Sequence, residues 1–216
     1  VLFLPVFCPT IGAHLTIMMK QKIVRLHWVL SEQFGINLLH FFNALRGIPI
    51  YIFEYFKFRR NYKGRIDLMP CLHDRYAEGG SAKSEYFWQD LLVAKNVYKN
   101  NPTKHIDIGS RVDGFVAHIA SFREIEVFDI RKISIKIPGV VFKTANFMNS
   151  DNMPPNGYCD SLSCLHALEH FGLGRYNDPI DVVGYENGIK NMAKLLSQNG
   201  TFYLSVPIGI ERVEFN

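Results

Sequence analysis

The 216-residue chain has room for one domain plus an appendage, and its 48% hydrophobic and 20% charged residues suit a globular protein with a buried core. A net charge of +4 is too weak a footprint to argue for nucleic acid, and no such partner is expected. The four cysteines, Cys8, Cys71, Cys159 and Cys164, show no disulfide-framework spacing; a reducing, cytoplasmic location is expected.

Residues 1–19 form an apolar leader containing Pro5, Pro9 and Gly12. One reading is a signal peptide or anchor, but the run lacks a basic start and a small-residue cleavage site and is short for a span. The other is upstream sequence ahead of a start at Met18 or Met19. Residues 20–83 follow as an α-helical N-terminal extension rich in aromatic and basic residues. Phe34, Leu38, Phe41, Phe42 and Leu45 recur at helical spacing, and Gly47 and Pro49 are expected to break that helix. Tyr51, Phe53, Tyr55, Phe56 and Phe58 then run into Lys57, Arg59, Arg60, Lys63 and Arg65. Two readings stand: a helical hairpin packed on the main domain, or an interfacial amphipathic segment giving peripheral membrane contact through residues 34–60. A loop is expected over residues 64–80.

The third region, residues 84–216, opens with Ser84 as an N-cap and Glu85 in the first turn of a helix that ends near Asn100-Asn101-Pro102. From there strands and helices alternate. Strands are expected over 104–108, 125–128, 140–142, 158–165 and 201–206; helices are expected over 115–121 and 185–197, the latter stopped by Asn199-Gly200. This alternation predicts an α/β fold: a Rossmann-like, doubly wound, mostly parallel sheet with ligands along the C-terminal edge of its strands.

Four motifs fall on that edge. His105-Ile106-Asp107-Ile108-Gly109-Ser110 is a strand entering a tight glycine turn. Gly109 permits close approach of a ligand, and Asp107 suits an ammonium group better than a phosphate. Asp129 lies about 20 residues further on, where an acid holds ribose hydroxyls in nucleoside-binding Rossmann folds. Asn146 is suited to an adenine edge and Phe147 to stacking or packing. Leu165 and His166 follow the fourth strand toward a cofactor, with Glu169 and His170 nearer a substrate as candidate acid–base groups. Cys159, Cys164, His166 and His170 are also zinc-ligand types, but the cysteines sit in a buried-strand pattern and no metal is assigned.

Taken in order, Asp107-Ile108-Gly109-Ser110, Asp129, Leu165-His166-Ala167-Leu168-Glu169-His170 and Gly200-Thr201-Phe202-Tyr203-Leu204-Ser205-Val206-Pro207 resemble class I S-adenosylmethionine-dependent methyltransferases. More narrowly, Ser161 to Tyr176 with Asp178-Pro179-Ile180 resembles the uncharacterised domain-of-unknown-function 268 family. The resemblance implies S-adenosylmethionine as cofactor. Asp107, Gly109 and Ser110 would hold its methionine part, Asp129 its ribose, and Asn146 and Phe147 its adenine, with Leu165 and His166 lining the cleft. It also implies a closing pair of strands beyond Asn216. The glycine turn departs from the family pattern, reading Gly-Ser-Arg-Val-Asp-Gly instead of Gly-x-Gly-x-Gly. The expected activity is methyl transfer to a small polar acceptor, a sugar or surface-glycan precursor, with Glu169 or His170 taking its proton. The rival is a non-catalytic binding module of the same shape. A nicotinamide enzyme is disfavoured by Asp107 and the missing pyrophosphate glycines.

Overall fold

The computed structural model describes residues 11–77, 80, 82, 84–149, 153–209, 212, 213 and 215, with side chains at Met19 and from Lys22 onward. They fall into two compact units divided after Gly80.

The first unit is built from helices α1 (Ile11–Phe34) and α2 (Leu38–Asn61), followed by a single 3-10 turn at Asp74–Tyr76. The break between the helices is encoded locally. Gly35 adopts a left-handed φ of 68°, and the N–H of Ile36 returns to the carbonyl of Leu30 at 2.9 Å. Asn37 then caps α2 by accepting from the His40 N–H at 3.0 Å. The expected break at Gly47 and Pro49 does not occur: α2 runs through both. Proline removes one ladder donor but does not by itself end a helix that is supported elsewhere. Here Gly47 is buried against Leu72, whose carbonyl oxygen would lie 2.8 Å from any added Cβ. The glycine is a packing contact, not a stop.

The second unit begins with α3 (Glu85–Asn100), capped by Ser84, whose hydroxyl accepts from the Tyr86 N–H, and closed by left-handed Asn101. Five parallel strands follow: β1 (His105–Ile108), β2 (Ile125–Asp129), β3 (Val140–Thr144), β4 (Cys159–Leu165) and β5 (Leu196–Ser205). Their order in the sheet is β3-β2-β1-β4-β5. The chain winds outward from β1 to β3, then restarts at β4 on the other side of β1. That reversal makes a crevice at the strand ends between β1 and β4. The fold is therefore α/β, Rossmann-like and doubly wound.

Alternation within the strands separates two cores. Ile106, Ile108, Phe128, Leu162 and Cys164 pack with Met192 and Leu195 of α5 (Gly184–Leu195) on one face. Ile125, Val127 and Leu165 pack with Ala94 and Val97 of α3 and with Phe115, Val116 and Ile119 on the other. The expected helix over 115–121 is shorter and differently wound: a π-turn at Val112–Val116 leads into α4 (Ala117–Ala120). The expected helix over 185–197 ends at Leu195, because Leu196 already pairs with Cys159. Ser197 to Gly200 then bulge out opposite Asp160, with Asn199 left-handed, before Thr201 rejoins the ladder at Ser161.

Candidate functional site

The C-terminal edge of the sheet carries an open cleft. Ile108 and Gly109 end β1 on its floor, Phe128 and Asp129 end β2 on its wall, and the segment after β3 contributes Ala145 to Met148. His166, Ala167, His170 and Phe171 follow β4, and Tyr176 and Asp178 complete the rim.

Gly109 earns its place geometrically. Its φ is +70°, and a Cβ there would meet the Cβ of Ala167 at 2.9 Å, across the β1–β4 crevice. Asp107, two residues earlier, points away from the cleft. It is fully buried, and both carboxylate oxygens are taken: Oδ2 accepts from the Ser110 N–H at 3.0 Å, and Oδ1 accepts from the hydroxyls of Ser110 at 2.6 Å and Ser163 at 2.5 Å. Burial pushes its pKa up to about 6 despite these donors. The Ser110 hydroxyl also accepts from the Leu165 N–H at 3.2 Å. Asp107, Ser110 and Leu165 thus form the scaffold beneath the glycine turn and are not on the cleft wall.

The scaffold extends deeper. Because the Ser163 hydroxyl donates to Asp107, it is left to accept from His105 Nε2 at 3.3 Å, and His105 Nδ1 then accepts from the Ser161 hydroxyl at 2.8 Å. His105 is buried, and desolvation lowers its pKa to about 3, so the ring stays neutral. Two strands are tied by a chain of polar groups in which each donor meets an acceptor.

Asp129 is on the cleft wall, at the tip of β2 and nearly buried. Its oxygens face Arg131. Oδ1 accepts from the Arg131 N–H at 2.8 Å and from Nε at 2.9 Å, and Oδ2 accepts from Nη2 at 2.8 Å. The same guanidinium lies 4.1 Å over the Tyr176 ring. Asn146 turns its Oδ1 back onto the Met148 N–H at 2.9 Å, shaping the adjacent loop. Phe147 is buried edge-on against Phe128, ring centroids 5.8 Å apart, and both line the cleft.

After β4 the backbone is strained. His166 has φ +51°, a conformation that non-glycine residues seldom hold outside functional or tightly determined sites. Its N–H is pinned to β5, donating toward the Ser205 carbonyl and hydroxyl, each at 3.1 Å. Its Nδ1 lies 3.2 Å from Glu169 Oε1, and its ring lies 4.6 Å from Tyr86. Glu169 does not line the cleft, and its buried Oε2 has no hydrogen-bond partner among the described residues. His170 lines the cleft between Tyr176 and Arg175. Burial, then the Arg175 charge, lowers its pKa, favouring the neutral ring. Asp178 anchors the rim by accepting from the N–H groups of Gly172, Gly174 and Tyr176 at 3.0, 3.2 and 3.1 Å. Burial opposes its charge, but these donors hold its pKa below the usual carboxylate value.

The cleft therefore brings together Gly109, Asp129, Asn146, Phe147, His166 and His170 from the sequence-derived set. Asp107, Ser110, Leu165 and Glu169 lie behind it. Arg131, Tyr176 and Asp178 add to its polarity; Tyr176 and Asp178 fall in the stretch that carries the narrower resemblance, whereas Arg131 has no motif signal of its own. Cys159 and Cys164 are buried in the β4 core, and burial raises both thiol pKa values, that of Cys159 to about 11. Among the described residues, no three His, Cys, Asp or Glu side chains gather to hold a metal.

No curated protein matches the chain in sequence. Among solved structures, the [4+2]-cyclase SpnF is 12% identical, with 58% of this chain and 48% of that one covered and a TM-score of 0.43. An S-adenosylmethionine-dependent methyltransferase from Clostridium acetobutylicum ATCC 824 is 13% identical over 69% of this chain and 56% of that one, with a TM-score of 0.41. Human N-acetylserotonin methyltransferase, in complex with SAM, is 14% identical over 54% and 32%, with a TM-score of 0.39. The chain spans about half the length of the first two of these. Residues 143–216 match the model of the DUF268 family, described as a Caenorhabditis protein of unknown function.

Proposed function

We propose that the second unit binds S-adenosylmethionine and transfers methyl groups to a small polar acceptor, such as a sugar hydroxyl. One observation carries this reading. A largely apolar cleft sits at the β1–β4 reversal, floored by Gly109 and edged by a carboxylate, Asp129, at the tip of β2. The residues fit the cofactor. Phe128, Ala145 and Phe147 offer apolar walls for a purine, Asn146 an amide beside them, and Asp129 an acceptor for ribose hydroxyls. Gly109, having no Cβ, leaves the backbone approachable.

When bound, S-adenosylmethionine supplies an electrophilic methyl group; the protein's task is to align the acceptor and receive its proton. His166 is the side chain best arranged for the proton. Glu169 Oε1 accepts from Nδ1–H, which fixes the tautomer and leaves Nε2 as the base. His170, kept neutral by burial and Arg175, is the alternative within the same cleft. The sugar acceptor is the expectation drawn from the sequence, and Tyr176 on the cleft rim offers it a polar contact.

A second reading, a non-catalytic binding module, is favoured by one feature: Arg131 already satisfies both oxygens of Asp129. Calorimetric titration with S-adenosylmethionine and S-adenosylhomocysteine separates the two. Binding that Asp129→Ala weakens about ten-fold or more, the scale of a lost charge-assisted hydrogen-bond pair, supports the cofactor site. A folded protein that binds neither ligand leaves the binding-module reading.

A further inference from the structure

The first unit has a surface that the cofactor cleft does not use. In α2, His40, Gly47 and Glu54 are spaced seven apart and so share one face of the helix. The chain that follows α2 folds back onto this face: the His73 ring lies 4.5 Å from His40, Leu72 packs on Gly47, and Arg75 pairs with Glu54. Arg46, beside this face, stacks 4.5 Å over Tyr76. The return segment thus covers the polar side of α2.

The opposite side is left bare. Phe41, Phe42, Leu45, Ile52, Phe53 and Phe56 cluster there at helical spacing, with Phe41 57%, Phe53 68% and Phe56 59% exposed. In a helix packed on its own domain the apolar side is the covered one; here the arrangement is reversed. Contiguous exposed aromatics of this kind mark an interaction surface.

Charge says what that surface meets. Residues 1–80 carry ten Lys and Arg against five Asp and Glu, whereas residues 81–216 carry fourteen against fifteen. Lys57, Arg60 and Lys63 stand at the end of the aromatic face and make no ion pair among the described residues. A second copy of this unit is a poor complement, because two of its acids, Glu54 and Asp67, are already paired with Arg75 and Arg65. An anionic bilayer supplies both halves: hydrocarbon for the aromatic face and headgroup charge for the basic end. No single described helix is long and apolar enough to cross a membrane; only the bent pair Lys22–Phe34 and Leu38–Asn61, turned by 80°, passes that test together. We propose that α2 seats its aromatic face in the surface of an anionic membrane, with Lys57, Arg60 and Lys63 on the headgroups. This does not rest on the cofactor reading.

The test is sedimentation of the full chain with phosphatidylcholine vesicles, with and without phosphatidylserine. Binding is expected to require phosphatidylserine and to weaken as salt rises. Phe53→Glu should weaken it about thirty-fold, the value of one buried aromatic side chain. Lys57→Glu with Arg60→Glu should weaken it at least about five-fold per residue. These side chains are exposed, so helicity by circular dichroism should not change. Phe53→Leu, which keeps the face apolar, should bind nearly as wild type. The proposal is overturned by a folded chain that pellets with neither vesicle, by equal binding to both, or by binding indifferent to Phe53→Glu. Pelleting that resists carbonate extraction overturns surface seating in favour of a span. A concentration-dependent dimer that binds no vesicle and is dissolved by Phe53→Glu assigns the face to a second copy instead.

Discussion

Leu162 in β4 and Phe53 in α2 are both large apolar side chains, yet one is 0% and the other 68% exposed. In the second unit, apolar residues close two cores against one sheet. In the first, they are turned outward and the chain packs on its own polar stripe. Hydrophobic content alone does not separate the two; the difference lies in which face of each element the rest of the chain chooses to cover.

The largest effect should therefore come from breaking the core. Leu162→Ala removes a fully buried side chain between β1 and α5 and should cost about 2–5 kcal/mol, read from the urea midpoint. Phe53→Ala should move that midpoint by less than about 0.5 kcal/mol. If the two variants were equally destabilising, α2 would have its aromatic face buried in the folded protein, and the contrast between units would fail.

The buried polar chain sharpens the comparison through pH. Asp107 has a folded pKa of about 6 against an ordinary value near 3.8, so its contribution to stability is present below the ordinary pKa and is lost as pH rises through about 6. His105 runs the other way. Its folded pKa of about 3 lies below the ordinary 6.5, so stability is lost as pH falls from 6.5 toward 3. Between pH 4 and 6 the two nearly cancel, and the stability of the wild type should be flat there. Asp107→Asn removes one half of the balance. Its stability should fall between pH 6 and pH 4 by about 1.4 kcal/mol per pH unit more than wild type, measured as the urea midpoint at each pH. Parallel pH profiles for variant and wild type would mean that Asp107 does not titrate in this range.

How far the sequence carried depended on whether a signal is local. β1, β2 and β4 were legible because apolar residues recur at alternate positions in short segments, as at Ile106 and Ile108, Ile125 and Val127, and Leu162 and Cys164, and the ends of α3 because Ser84 and Asn101 are local caps. The path of α2 through Gly47 and Pro49 was not, since Leu72, the partner that explains Gly47, lies 25 residues further on. In the cleft, Gly109 and Asp129 stand where strand-end logic places them. Asp107 has the residue type of a ligand group but lies behind the wall, because its partner Ser163 arrives from a strand 56 residues away. Arg131 has no sequence signal at all; only the side-chain path back over Asp129 reveals it.

Gly109→Ala probes the cleft floor with a smaller expected effect. The added Cβ meets Ala167 at 2.9 Å in a backbone with φ +70°, so stability should drop by about 1–2 kcal/mol. Cofactor affinity should drop with it, by about ten-fold. A Gly109→Ala protein destabilised to that extent but titrating with S-adenosylmethionine as tightly as wild type would move the ligand away from this turn.

Arg131→Ala should have the smallest effect and is the most discriminating. The guanidinium is half-exposed, its ion pair with Asp129 is bidentate, and its removal frees both carboxylate oxygens for other donors. A pair of this exposure is worth about 1 kcal/mol at most, so overall stability should barely change. If Arg131 competes with the ribose hydroxyls, S-adenosylmethionine should bind the variant about three- to five-fold more tightly, with the gain abolished when Asp129→Ala is added. If instead Arg131 folds over the bound nucleoside through its stack on Tyr176, affinity should fall by a similar factor and Tyr176→Ala should reproduce the loss. Either shift places a ligand at the tip of β2. An unchanged affinity in a protein that does bind the cofactor would detach Asp129 from the ribose and leave the acid as a fold element paired to its own arginine.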